Sequence, residues 1–191
     1  QTRTLFGQQT EQDQIKLDKL RAKIYVSRVA KIAYLLERVA VGPNIINTFL
    51  RTRLQDPTEA DWDKLVRLTK YIVANKEHMT IRIGITGEAK QYIPLTLYAD
   101  ASYQTTSNLR SVGGTILTMG CGPIYHRSKI IKIPCDSTTE AEIYVLQDAA
   151  KILMWTQRVL EDMGFQVKSK IFEDNEAAIT LVTSHGQSHA N

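Results

Sequence analysis

The chain has 191 residues, 43% of them apolar, and a formal net charge of +4, which suits one large globular domain or two small ones. It contains no run of 18 apolar residues, and Gln1 to Gln9 have neither the long apolar stretch nor the small-residue cleavage site of a secretory signal, so no membrane association is expected. The charge is uneven, with 16 Lys and Arg against 10 Asp and Glu in residues 1–90, and 8 against 10 in residues 91–191.

Residues 1–16 read as a flexible lead-in, the first 14 being rich in Gln and Thr and lacking periodicity. From Leu17 to Val41, Leu17, Leu20, Ile24, Val29, Ile32, Leu35, Leu36 and Val39 recur mostly at helical steps, and Gly42-Pro43 stops the pattern. A second helix is expected over Asn44 to Leu54. A third opens with Asp56 as N-cap, Pro57 at the first helical position and Glu59 as the capping-box acid, and runs to about Ala74. Trp62 and Tyr71 lie on it at core-compatible spacing. Alternation from Met79 to Ile85 predicts a strand, and Gly87 to Lys90 reads as a link. The domain boundary therefore falls between a helical module at 17–87 and a second domain at 91–191. The cations Arg21, Lys23, Arg28, Lys31 and Arg38 suit a module that grips a phosphate backbone, and equally the solvated face of a helix.

In the second domain, Leu95 to Tyr98, Val112 to Thr118 and Gly122 to Arg127 read as strands whose short connections make them antiparallel. Ser137 is a good N-cap, with Glu140 at its capping-box position, for a helix ending near Met163 before Gly164. Its expected buried stripe is Val145, Ala149, Ile152, Leu153, Val159 and Leu160. A strand from Val167 to Glu173 and a helix from about Asn175 follow. A strand after a long helix implies a parallel crossover, giving an α/β fold with three antiparallel strands, one parallel strand and flanking helices. Cys121 and Cys135 lack metal-ligand spacing and read as reduced thiols of an intracellular protein.

Three acidic segments punctuate this domain: Tyr98-Ala99-Asp100-Ala101-Ser102, Ser137-Thr138-Thr139-Glu140-Ala141-Glu142 and Phe172-Glu173-Asp174-Asn175. Each sets a carboxylate at the end of a strand-like run or in the first turns of a helix, and carboxylates are the hard oxygen ligands that magnesium prefers. Singly, each acid reads better as a helix cap or a surface charge; together, in the order Asp, Glu, Asp, they point to a metal site.

These segments resemble the first three motifs of ribonuclease H, and the Ser-Thr-Thr-Glu-Ala-Glu wording before a long helix resembles the copia-type branch of LTR retrotransposon reverse transcriptases. Upstream, Asp56-Pro57-Thr58-Glu59-Ala60-Asp61-Trp62 and Leu65 to Ile72 are similar to the thumb-like helical segment preceding ribonuclease H in those polyproteins. The likeness extends from about Leu17 to Thr183. It implies a ribonuclease H-like fold and magnesium- or manganese-dependent hydrolysis of the RNA strand of RNA–DNA hybrids at a two-ion site. It also implies Asp100, Glu142 and Asp174 as catalytic metal ligands, Asp100 bridging the ions. Glu142 is preferred to Glu140 because Ala141-Glu142-Ile143-Tyr144-Val145-Leu146 matches the family's register. Ser137, Thr138 and Asn175, beside the acids, are the expected substrate contacts. The implied partners are an RNA–DNA hybrid or other nucleic acid and the rest of the pol polyprotein or another protein, in a cytoplasmic particle or the nucleus.

The family's fourth acid follows the helix after Asp174. The chain is read as ending before it, with the C-terminal elements lacking; alternatively, Asn191 in Ser188-His189-Ala190-Asn191 stands in its place. Either case weakens the second ion and motivates a rival reading, a decayed or domesticated module serving as a nucleic-acid-binding or protein-interaction scaffold. His185 and His189 are expected to be tail residues. No Tyr-x-Asp-Asp motif occurs, which excludes DNA synthesis by this chain alone.

Overall fold

The computed structural model describes residues 15–39, 42–79, 81–84, 92–106 and 109–187, with side chains to 184. Residues 1–14 of the expected lead-in, the link Gly87 to Lys90, and the side chains of His185, His189 and Asn191 lie outside the described residues, whereas Ile15 and Lys16, expected in the lead-in, are tied down, the Ile15 carbonyl accepting from Glu59 N at 2.9 Å and Lys16 bridging to Thr58. The chain divides into two compact units, Gln1–Ile81 and Arg82–Asn191.

The first unit is helical. Helix α1 (Lys19–Val39) begins two residues later than the apolar pattern suggests, because the Asp18 carboxylate accepts from the backbone N–H groups of Leu20 and Arg21 and caps it. Its buried side chains are Tyr25, Val29 and Leu36. Leu20 and Leu35, expected on the buried face, are exposed, and Tyr25 takes the inward position, its hydroxyl donating to the Leu50 carbonyl at 3.0 Å. Helix α2 (Asn44–Thr52) follows. Helix α3 (Glu59–Ala74) is capped by Thr58 and not by Asp56. Thr58 and Asp61 form a reciprocal capping box in which Asp61 is fully buried and also accepts from Arg53 Nε at 3.2 Å. Asp56 instead pairs with Lys16 at 2.7 Å. The small core joins Tyr25, Val29, Leu50, Leu65 and Leu68, with Trp62 packed against it; Tyr71, expected in the core, is exposed.

The Met79 to Ile85 alternation, which runs across the division between the units, gives no strand among the described residues; only Gly84 forms an isolated bridge, with Gly120. The sheet consists of β1 (Ile93–Ser102), β2 (Val112–Met119), β3 (Gly122–Ile130) and β4 (Val167–Phe172) in the order β3-β2-β1-β4. The first three strands pair antiparallel and β4 pairs parallel to β1, the expected ribonuclease H-like α/β arrangement with flanking helices. Helix α4 (Thr138–Asp162) is the crossover between β3 and β4, and α5 (Glu176–Gln187) packs against it. The core lies between α4 and the sheet, where Ile93, Leu95, Leu97 and Ala99 of β1 meet Ala141, Val145, Leu146, Ala149 and Leu153. Burial thus begins a turn earlier on α4 than the expected stripe, and Val159 is 37% exposed. Gly113 on β2 makes this close approach feasible, since a Cβ there would stand 2.5 Å from Val145 Cγ2.

Candidate metal centre

Strand alternation fixes the first acid. With Ile93, Leu95, Leu97 and Ala99 buried, Tyr98 and Asp100 are left exposed near the end of β1. The second acid comes from α4. Ser137 Oγ accepts from the Glu140 backbone N–H at 3.1 Å, which starts the helix so that Glu142 sits in its second turn. The return arm of the expected capping box is shifted by one residue, Glu140 Oε2 accepting from Asp136 N at 2.7 Å. The third acid follows β4. In the parallel register Tyr98 faces Phe172, their rings stacked at 5.3 Å, so Asp100 and Asp174 are each two residues beyond level partners.

Asp100, Glu142 and Asp174 each offer a carboxylate oxygen within 4.8 Å of the others. Three elements distant in sequence therefore converge on one volume. Glu142 is only 5% exposed and its Oε2 is buried without a hydrogen-bond partner. Burial pushes its carboxyl up to about 7, with repulsion from Glu173, Asp100 and Asp174 adding to the rise and a backbone hydrogen bond from Ala101 opposing it. Among the described residues, no Lys, Arg or His forms an ion pair with any of these acids. A compact set of hard oxygen donors, one of them orphaned in the interior, is of the kind that suits a divalent cation.

The expected substrate contacts lie close by along the chain. Thr138 is exposed one helical turn before Glu142. Ser137 and Asn175 already act as caps, Asn175 Oδ1 accepting from Ala178 N at 2.9 Å. The acid that sequence reading left without a role is Glu173. It adjoins Asp174, is half-buried, and its Oε1 accepts from Asn175 N at 3.2 Å.

No family model matches the chain, and no solved structure matches it. It is 25% identical over 160 residues to the Retrovirus-related Pol polyprotein from transposon TNT 1-94 of Nicotiana tabacum. That likeness covers 82% of this chain and 12% of the tobacco protein. Over most of its length, the chain is similar to one stretch of a retrotransposon Pol polyprotein, and it spans a small part of that protein.

Proposed function

We propose that the second unit is a retrotransposon-derived ribonuclease H that hydrolyses the RNA strand of RNA–DNA hybrids. The observation that carries this reading is the convergence of Asp100, Glu142 and Asp174 within 4.8 Å. Support comes from the mixed sheet and crossover helix that deliver them and from the likeness to a Pol polyprotein.

Phosphodiester hydrolysis adds a water oxygen to phosphorus, breaks the bond to one bridging oxygen and returns a proton to the departing alkoxide. Charge grows on both the attacking and leaving oxygens. Divalent cations held there would supply the Lewis acidity that stabilises both. Asp100, Glu142 and Asp174 would hold these cations, Asp100 serving as the shared ligand that the likeness to ribonuclease H implies. Burial of Glu142 keeps its side chain fixed before cations arrive, which reduces reorganisation when they bind. Thr138, exposed beside this helix turn, and Asn175 offer hydroxyl and amide groups to phosphate or to the 2′-hydroxyl that distinguishes RNA. The nucleic-acid partner is the hybrid, and the protein partner is the remainder of a Pol polyprotein.

A labelled RNA–DNA hybrid incubated with the chain and magnesium or manganese tests the proposal. Asp100→Asn should lower cleavage by about 100-fold or more while hybrid binding persists. Equal cleavage by both proteins would defeat the assignment.

A further inference from the structure

Trp62 packs against the core of the first unit, but the face of α3 that begins with it stays open. Trp62, Leu65, Val66, Thr69, Val73 and Ala74 line a groove of about 330 Å³, to which α1 contributes Arg28. On α3 these positions recur at steps of three and four, so they form one stripe about 18 Å long along the helix axis. The stripe is accessible, Val73 being 62% exposed. Its one hydroxyl, on Thr69, donates to the Leu65 carbonyl at 2.8 Å and is used within the helix. A stripe of this period is the seam on which a second helix seats its side chains. An extended segment would instead press backbone N–H and C=O groups against aliphatic side chains that cannot bond them, whereas a helix satisfies its own.

The charges at the groove have one sign. Arg28 and Lys70, one from each helix, are its charged lining residues, and neither forms an ion pair among the described residues. Arg21 differs, its Nη2 donating to Glu59 Oε2 at 2.9 Å. The Trp62 ring already carries the guanidinium of Arg21 at 4.6 Å and that of Arg28 at 5.9 Å, so it has little face to offer a stacking base. The aliphatic floor gives neither a phosphate nor a base edge a donor. A second copy of the same groove would set Arg28 and Lys70 against their own kind.

We propose that this groove docks an amphipathic helix of a partner protein, with aliphatic side chains seated on the α3 stripe and acidic residues facing Arg28 and Lys70. The apolar seam supplies the affinity, and the two cations select the partner. This role is independent of the acidic centre in the second unit.

A display library of helical peptides, randomised at every outward position without charge bias, is selected on the whole chain. Enriched peptides should carry aliphatic residues at i, i+3, i+4 and i+7, flanked by Asp or Glu. Their binding, followed by fluorescence anisotropy, should fall about fivefold or more in Val73→Ser and in the Arg28→Glu, Lys70→Glu double variant. Val73 and both cations are exposed, so each variant should melt as wild type does. Selection on the double variant should return peptides flanked by Lys or Arg, an exchange of sign that a merely sticky surface would not produce. Recovery of no helical binder, of binders without acid enrichment, or of binders indifferent to Val73→Ser would overturn the proposal. Self-association of wild type that Val73→Ser abolishes in sedimentation would overturn it in favour of a second copy. Loss of RNA–DNA hybrid binding in the uncharged Val73→Ser variant would overturn it in favour of nucleic acid.

Discussion

Glu142 is held by two opposing demands: helix packing buries it, and the chemistry proposed for it requires a negative charge. Its carboxyl lies at about 7 in the folded, cation-free protein against an ordinary value of 4.5, so between those pH values the folded chain keeps a proton that the unfolded chain has released. That contribution to stability is full below about pH 4.5 and is lost as the pH rises through about 7. In chelator, the melting temperature of wild type should therefore fall over this window more steeply than that of Glu142→Gln. Manganese should reverse the trend, because cation and proton compete for the same carboxylate. Asp100, Glu142 and Asp174 were readable as a set because each stands in a short acidic segment at the end of a strand-like run or in the first turns of a helix. Tyr25 and Glu173 were not. Tyr25 falls beside the aliphatic steps and is drawn inward only because the Leu50 carbonyl can satisfy its hydroxyl. Glu173 is half-buried, its Oε1 accepting from the Asn175 backbone N–H at 3.2 Å, a contact made by the fold.

At the scale of elements, the order of strands and the crossover were legible, since alternation, turn glycines and a long amphipathic helix are local signals. Helix starts were less so. Asp56-Pro57 has the composition of a helix start, but Thr58 with Asp61 makes a closed, buried capping box and wins. The alternation at Met79 to Ile85 does not become a strand among the described residues, because a strand needs a neighbour and only Gly84 finds one. Gly113 is the element-scale contact on which the centre most depends. Adding a methyl there forces Val145, a side chain stiff at χ1, away from β2 and shifts the α4 turn that carries Glu142. Gly113→Ala should cost about 1–3 kcal/mol in denaturant unfolding, as overpacking does, and should weaken manganese binding without removing any ligand.

The molecule comprises two compact units, each with its own apolar core. The likeness to a Pol polyprotein runs over 82% of the chain, so it embraces most of both. The excess of Lys and Arg lies in the first half, and the acidic centre lies in the second unit. Under the proposed function, hybrid binding should carry the salt signature of phosphate contacts. Raising monovalent salt from about 50 to 200 mM should weaken it by about tenfold or more, measured by fluorescence anisotropy in chelator. A flat salt profile would mean that the cations of the first half are a solvated helix face.

The parallel register of β1 and β4 has a consequence for how such a domain can change over generations. Tyr98 opposite Phe172 leaves Asp100 and Asp174 each two residues beyond the last paired position, and inserting or deleting one residue in β4 would turn the following β4 side chains to the other face. The lysines of Val167-Lys168-Ser169-Lys170 can be exchanged with little effect on where Asp174 points. The number of residues between Val167 and Asp174 cannot drift in the same way. In related chains, that spacing should be preserved even where the residues filling it have diverged.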